Sequence, residues 1–179
     1  VPHWSQTSRG RLSPSGTHRI VADPQFEQKF IGLSRVYSYT KEMQVTKQRV
    51  RSNLLDKEPA PLAICRGHAA VAFVISDANS PSLTLCVKAP HLRKHAGEVS
   101  LPGGKVELSD NSVMSAALRE LEEETGLILT AKHTLGYLNP IESLYQLSVT
   151  PCVFWSDDRL IGEPRDQEID RVFSIPMEA

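Results

Sequence analysis

The sequence predicts a mixed α/β domain, and three features carry that expectation. Residues 69–75 form an apolar run of strand length, and residues 83–87 follow after a short loop as a second one, a hairpin pattern. A helix-forming stretch lies between Pro102-Gly103-Gly104, read as a turn, and Thr125-Gly126, read as a helix stop. Strand-like runs resume at 135–138, 147–155 and 172–175. Strands alternating with one strong helix belong to the mixed α/β class.

At 179 residues the chain has room for one domain with a real core and an extension. Its 20 Lys and Arg balance 21 Asp and Glu, so no charge excess points to nucleic acid or a membrane surface. The longest apolar run, 69–75, is far too short to cross a bilayer. Cys65, Cys86 and Cys152 are odd in number, widely spaced and without a C-x-x-C. They argue against a disulfide framework or zinc site and for a reducing intracellular compartment.

In chain order, residues 1–22 carry Arg9, Arg11, Arg19 and several Ser, with no acid before Asp23. That composition fits a mitochondrial transit segment or an ordinary disordered tail, so a mitochondrial location is expected, with peroxisomal or cytosolic as alternatives. Residues 23–60 read as a helical extension. Asp23-Pro24 is a start signal, Phe26, Phe30 and Leu33 recur at helical spacing, and Met43, Val45, Val50 and Leu54 repeat less cleanly over 41–55. Pro59-Ala60-Pro61 marks the linker into the main domain, 61–179. The chain has no initiator Met and ends at Met177-Glu178-Ala179, which reads as a fragment or processed form.

The run 69–75 reads as a strand buried on both faces. After the second strand comes a basic loop with Lys88, His91, Arg93, Lys94 and His95, leading through Val99-Ser100-Leu101 into the Gly-Gly turn. Beyond Gly126, two strands flank a loop at 139–145, and Pro151 inside the second favours an edge position or a bulge. Residues 157–168 are polar loop before the last short strand.

The central helix ends in an electrostatically unfavourable way. Glu120, Glu122, Glu123 and Glu124 crowd its last turn. Carboxylates there face the negative end of the helix dipole at about 0.3–1 kcal/mol each. Like-charged pairs three and four apart add a few tenths of a kcal/mol. At roughly 100° per residue, Glu120, Glu123 and Glu124 share one wedge while Glu122 points away. Met114, Ala117, Leu118 and Leu121 form the neighbouring apolar face. Three hard oxygen ligands on one side suit Mg2+ or Mn2+. The plainer reading is a solvated acidic face, which the glycine turn before the helix and the stop after it make less favoured.

Residues 119–127, R-E-L-E-E-E-T-G-L, resemble the second half of the Nudix box, G-x5-E-x7-R-E-U-x-E-E-x-G-U with U aliphatic. The first half departs. Across five intervening residues from Gly104 stands Asp110 instead of Glu, and eight residues instead of seven separate it from Arg119. Asp110 is therefore either a box residue or the N-cap of the helix. Upstream, residues 88–104 are similar to the motif of the coenzyme A diphosphatase branch, R-[SA]-x3-R-x3-G-x3-F-P-G-G. Arg93, Gly97, Pro102, Gly103 and Gly104 are in place, with Lys88 for Arg and Leu101 for Phe. An Asp with one extra residue before the helix is common in that branch.

The resemblance implies a Nudix fold, a mixed sheet in an α/β/α sandwich. A further strand and outer helix would be expected after Met177, so the fold reads as cut short, with one sheet face exposed. It implies Mg2+- or Mn2+-dependent hydrolysis of coenzyme A to 3′,5′-ADP and 4′-phosphopantetheine, or of an acyl derivative. Glu120, Glu123, Glu124 and the Gly104 carbonyl would hold the metal, and Arg119 would lock the carboxylates. Glu123, or secondarily Glu168, would activate water, and Arg93, Lys88 and Lys94 would meet the substrate phosphates. The alternatives are a Nudix hydrolase for ADP-ribose or a nucleotide sugar, and a catalytically weak binding module.

Overall fold

The computed structural model describes residues 44–77 and 80–177. The transit-like tail and the Phe26, Phe30 and Leu33 pattern lie outside them. The described chain opens with helix α1 (Lys47–Arg51), then strands β1 (Gly67–Ser76), β2 (Ser82–Lys88), β3 (Val99–Ser100) and β4 (Gly103–Lys105). Helix α2 (Val113–Thr125) follows, with a single 3-10 turn (Ala131–His133) after it. Strands β5 (Thr134–Tyr137), β6 (Ile141–Glu142), β7 (Leu147–Ser156) and β8 (Ile169–Pro176) complete it.

The eight described strands form one mixed sheet. β1 runs parallel to β7 along its full length, from Gly67 opposite Leu147 to Ser76 opposite Ser156. Parallel neighbours need a long connection, and here it carries α2 across one face. The other edge of β1 is shared. Ile75 and Ser76 pair with β2, while Ala69, Ala70 and Val71 pair with β4. β2 thus peels away from β1 after its first residues, and β3 and β4 fill the opening, with Cys86 opposite Ser100. β8 lines β2 from Ser82 to Lys88, with a bulge between Val87 and Lys88.

Strand alternation decides what each face buries. Ala70, Ala72 and Val74 of β1 and Cys152 and Phe154 of β7 meet Val113, Ala116, Ala117 and Leu121 of α2. The adjacent alanines let the helix lie close to the sheet. Complete burial of Leu121 and Phe154 contributes roughly 1.5–3 kcal/mol each. On the opposite face Ile75, Leu135, Val153 and Trp155 pack with Phe73, Val45, Val50, Leu54 and Met177. That face is therefore partly covered, not bare as the sequence suggested.

The structure corrects several local expectations. Among the described residues, the helix expected within 41–55 is formed only at Lys47–Arg51. After it, Leu55 exchanges two backbone hydrogen bonds with Tyr137 of β5, at 2.8 and 2.9 Å. Glu58 accepts from the Val113 N–H at 3.2 and 3.3 Å, adding an anion at the start of α2. Tertiary pairing thus overrides a weak helical period. The supposed Gly103-Gly104 turn is strand β4, and the supposed loop at 139–145 contains β6.

Pro151 sits inside β7, flanked by β1 on one side and β5 and β6 on the other, not on an edge. Its carbonyl accepts from Leu138 N at 3.0 Å, so its nitrogen faces that same side. The β5 pairing ends at Tyr137 and β6 begins at Ile141, so the missing donor falls where the ladder is already broken.

Candidate active site

Helix α2 is fixed at both ends by its own sequence. Ser112 accepts from Ser115 N at 3.0 Å, and the Ser115 hydroxyl accepts from Ser112 N at 2.9 Å, a reciprocal cap. Gly126 ends the helix in the left-handed region, at φ 69°. The Thr125 hydroxyl donates to Leu121 O at 2.6 Å. The chain then returns to cover the helix end, with Glu163 N on Thr125 O at 2.9 Å and Arg165 N on Glu124 O at 3.2 Å. Glu120 and Glu124 therefore project from a rigid end toward β4 and β2.

Glu124 is buried, 3% exposed. One oxygen accepts from Lys88 Nζ at 2.7 Å, the other from the backbone N–H of Gly103 at 3.1 Å. Lys88 comes from the end of β2, where the strand has peeled from β1, and it also stands 3.7 Å from Glu168. Burial pushes the Glu124 carboxyl up, against the pull of Lys88. Burial likewise pulls Lys88 down, but the hydrogen bond to Glu124 and the charges of Glu124, Glu168 and Asp166 together outweigh it, and the net shift is upward. Glu124 is raised because the lysine only partly offsets its burial, and Lys88 is raised because the acids around it more than offset its own. Glu120 is also pushed up, first by burial, with Arg119 pulling the other way.

Arg119 gathers the remaining acids. Its Nη1 donates to Glu120 at 2.9 Å and to Glu123 at 3.1 Å. Its Nε and Nη2 donate to the two oxygens of Asp110 at 3.2 and 3.0 Å, and Nη2 also reaches the Lys105 carbonyl at 3.1 Å. Gly104 supplies the cradle. A Cβ there would fall on the Glu120 carboxylate, so glycine is what lets that carboxylate rest against β4.

A family model described as NUDIX domain matches residues 66–178, more than half of the chain. The chain belongs to the Nudix family. The uncharacterized Nudix hydrolase NudL of Yersinia enterocolitica is 38% identical over 127 residues, covering 71% of this chain and 65% of its own length. NudL of Yersinia pestis strain Pestoides F is 41% identical over 109 residues, covering 61% and 55%. The chain thus spans 55–65% of the length of these two relatives. Among solved structures, a MutT/nudix family protein from Enterococcus faecalis superposes with a TM-score of 0.53. It is 14% identical, the match covering 88% of this chain and 57% of that one, and it supports the fold. The architecture is the Nudix fold, with its mixed sheet and few helices.

Within the Nudix box the residues singled out from sequence are arranged unequally. Glu120 and Glu124 reach toward β4 and β2, whereas Glu123 is 54% exposed beside Arg119. Glu122 is exposed, as its helical phase predicted. The three carboxylates do not close on one point. Among the described residues no three acid, imidazole or thiol groups form such a cluster, because Glu124 is turned to Lys88 and Glu120 and Glu123 to Arg119. Asp110 is not the N-cap, a place Ser112 takes; it is the principal partner of Arg119. Glu168, 65% exposed, is brought to the site through Lys88.

The basic loop is tied at its base by Lys88 N to Glu98 O at 2.9 Å and Gly97 N to Lys88 O at 3.0 Å. Arg93 and Lys94 are exposed beyond it. Lys94 lies over the Tyr145 ring, 4.8 Å from its centroid, and the His95 ring meets the same tyrosine edge-on at 5.4 Å. Tyr145 had no signal in the sequence, being one residue of a loop 50 and 51 positions from its partners; only folding joins them. Lys88, expected to be free for substrate, is instead engaged by Glu124.

Nudix hydrolases generally use divalent metal ions such as Mg2+ or Mn2+, and these residues fit one. The donors are hard oxygens on a single helix turn, with a backbone cradle at Gly104. Ser100 lies across from Cys86 and shares its face with Lys88, and its buried hydroxyl has no hydrogen-bond partner. An orphaned hydroxyl there suits an ion that keeps part of its water shell. Burial first, then Glu124, pushes the Cys86 thiol up to about 12, so it stays a neutral thiol.

Proposed function

We propose that this Nudix chain hydrolyses the diphosphate bond of coenzyme A or its derivatives, giving 3′,5′-ADP and 4′-phosphopantetheine or its acyl form. The observation carrying this reading is the junction of a carboxylate-bearing helix end with a basic loop through one residue, Lys88. A diphosphate ester needs cations at its bridge, and coenzyme A carries a third phosphate that needs another cation some distance away.

Glu120, Glu123, Glu124 and the Gly104 carbonyl would hold the divalent ion, which supplies charge neutralisation at the diphosphate and a more acidic water. Arg119 is a positioning residue, fixing Glu120 and Glu123 from the side while Asp110 holds it. We assign the proton of the attacking water to Glu123 first and to Glu168 second, because Glu168 enters beside Lys88. Arg93 and Lys94 are assigned to the 3′-phosphate, and the exposed Tyr145 ring offers a stacking face for the adenine.

Turnover of coenzyme A, dephospho-coenzyme A and ADP-ribose with Mg2+ or Mn2+ tests the reading. The expected order of kcat/KM puts coenzyme A first, with dephospho-coenzyme A about tenfold lower for the lost charge-assisted contacts. A higher kcat/KM for ADP-ribose than for coenzyme A would remove the substrate assignment. No turnover of any of the three would remove the enzyme.

A further inference from the structure

Lys88 is an odd residue to find on a carboxylate meant for a metal. It is nearly buried, with 16% of its side chain exposed, and its ammonium lies 2.7 Å from a carboxylate that is 3% exposed. Acids face it from two sides: Glu120 and Glu124 from α2, and Asp166 and Glu168 from the loop before β8. A buried carboxylate without a counter-charge is strongly disfavoured, so with the divalent ion absent Glu124 stays ionised only with another cation beside it, and Lys88 stands there. Lys88 is anchored to do this, with backbone N and O both bonded to the base of its own loop and a β-bulge just before it.

We infer that Lys88 is the resident counter-cation of the metal site. Its ammonium holds Glu124 in the metal-free protein, gives that carboxylate up when a divalent ion takes it, and passes to Glu168. This inference rests on the metal site of the proposed function. Glu168 is suited to receive it, being already 3.7 Å away, largely exposed, and tied to the same strand end through its carbonyl on Ala89 N at 2.8 Å. One lysine thereby links loading of the ion to the base of the basic loop, since its backbone closes that loop at Glu98 and Gly97. The released charge also stands where an anionic ligand bridging ion and loop would pass. The ion and Lys88 therefore compete for one carboxylate, and removing the lysine removes the competitor.

The test is a Mn2+ titration without substrate, read as free Mn2+ by electron paramagnetic resonance, on wild type, Lys88→Met and Lys88→Arg. Lys88→Met is expected to bind Mn2+ about tenfold tighter than wild type, as loss of a competing ligand requires, and Lys88→Arg to stay within a few-fold of wild type. Equal or weaker Mn2+ binding by Lys88→Met overturns the inference while leaving the metal site standing. Absence of Mn2+ binding in all three overturns the metal site and this inference with it. Should Lys88→Met fail to fold, amine labelling of wild type read by mass spectrometry decides. Lys88 is expected to label faster after Mg2+ is added, with exposed Lys94 unchanged as the reference, and an unchanged Lys88 rate overturns the inference.

Discussion

A single acid, Asp110, shows how the site is held together at the residue scale. Its carboxylate is 5% exposed and grips Arg119 with both oxygens, and the guanidinium hydrogen bond holds its pKa below the ordinary 3.8. A depressed carboxyl contributes stability that is fully present above its unfolded value and is lost as pH falls through the folded one. Asp110→Asn is therefore expected to cost about 2 kcal/mol at neutral pH. Urea melts of both proteins should keep that gap down to about pH 5 and lose it progressively below about pH 4. A gap constant to pH 3 would mean that the charge is irrelevant. Sequence spacing left Asp110 open between a cap and a box residue. What resolves it is a contact across nine positions, which no local pattern encodes.

At the scale of elements, β4 and α2 are one device. The two glycines of β4 have different duties. A Cβ at Gly103 would strike the backbone of Ala70 and Val71, whereas at Gly104 it would strike only the movable end of Glu120. Gly103→Ala is accordingly expected to destabilise the fold, by about 2 kcal/mol or more, since φ is 154° there as well. Gly104→Ala should melt within a few degrees of wild type yet lose on the order of a hundredfold in kcat, as a displaced carboxylate does. Melting curves beside steady-state rates separate the two. If Gly104→Ala unfolds, or keeps full activity, the cradle has been misread. The same elements mark what the sequence could tell. The helix was legible from its 3.6 period and its glycine stop, because both signals are local. The Gly-Gly strand was read as a turn because glycine usually signals a turn, and here it serves close approach instead. β6 has only two residues, too few to carry a pattern.

Across the whole molecule, the sheet opens where β2 leaves β1, and that opening is where the chemistry-bearing residues meet. β3 and β4 enter it, Lys88 ends the departing strand, and the last turn of α2 closes over it. The strands themselves are legible as apolar runs, and Val45, Val50 and Leu54 follow a loose helical spacing. Their role in covering the second face of the sheet is not legible, because it depends on which segment reaches that face. The partnership of Lys88 with Glu124, 36 positions away, was hidden for the same reason. The carboxylate turn and Arg119 could be named from sequence; Lys88 as the counter-charge of Glu124 could not. The central claim is that this turn is the working end of a metal-dependent diphosphatase. Its most direct test is release of 3′,5′-ADP from coenzyme A, followed by chromatography, for wild type and Glu124→Gln with and without Mn2+. Product that requires Mn2+ in wild type, and falls at least about a hundredfold in Glu124→Gln, is the predicted result. Release that is independent of Mn2+, or undiminished in Glu124→Gln, would contradict it.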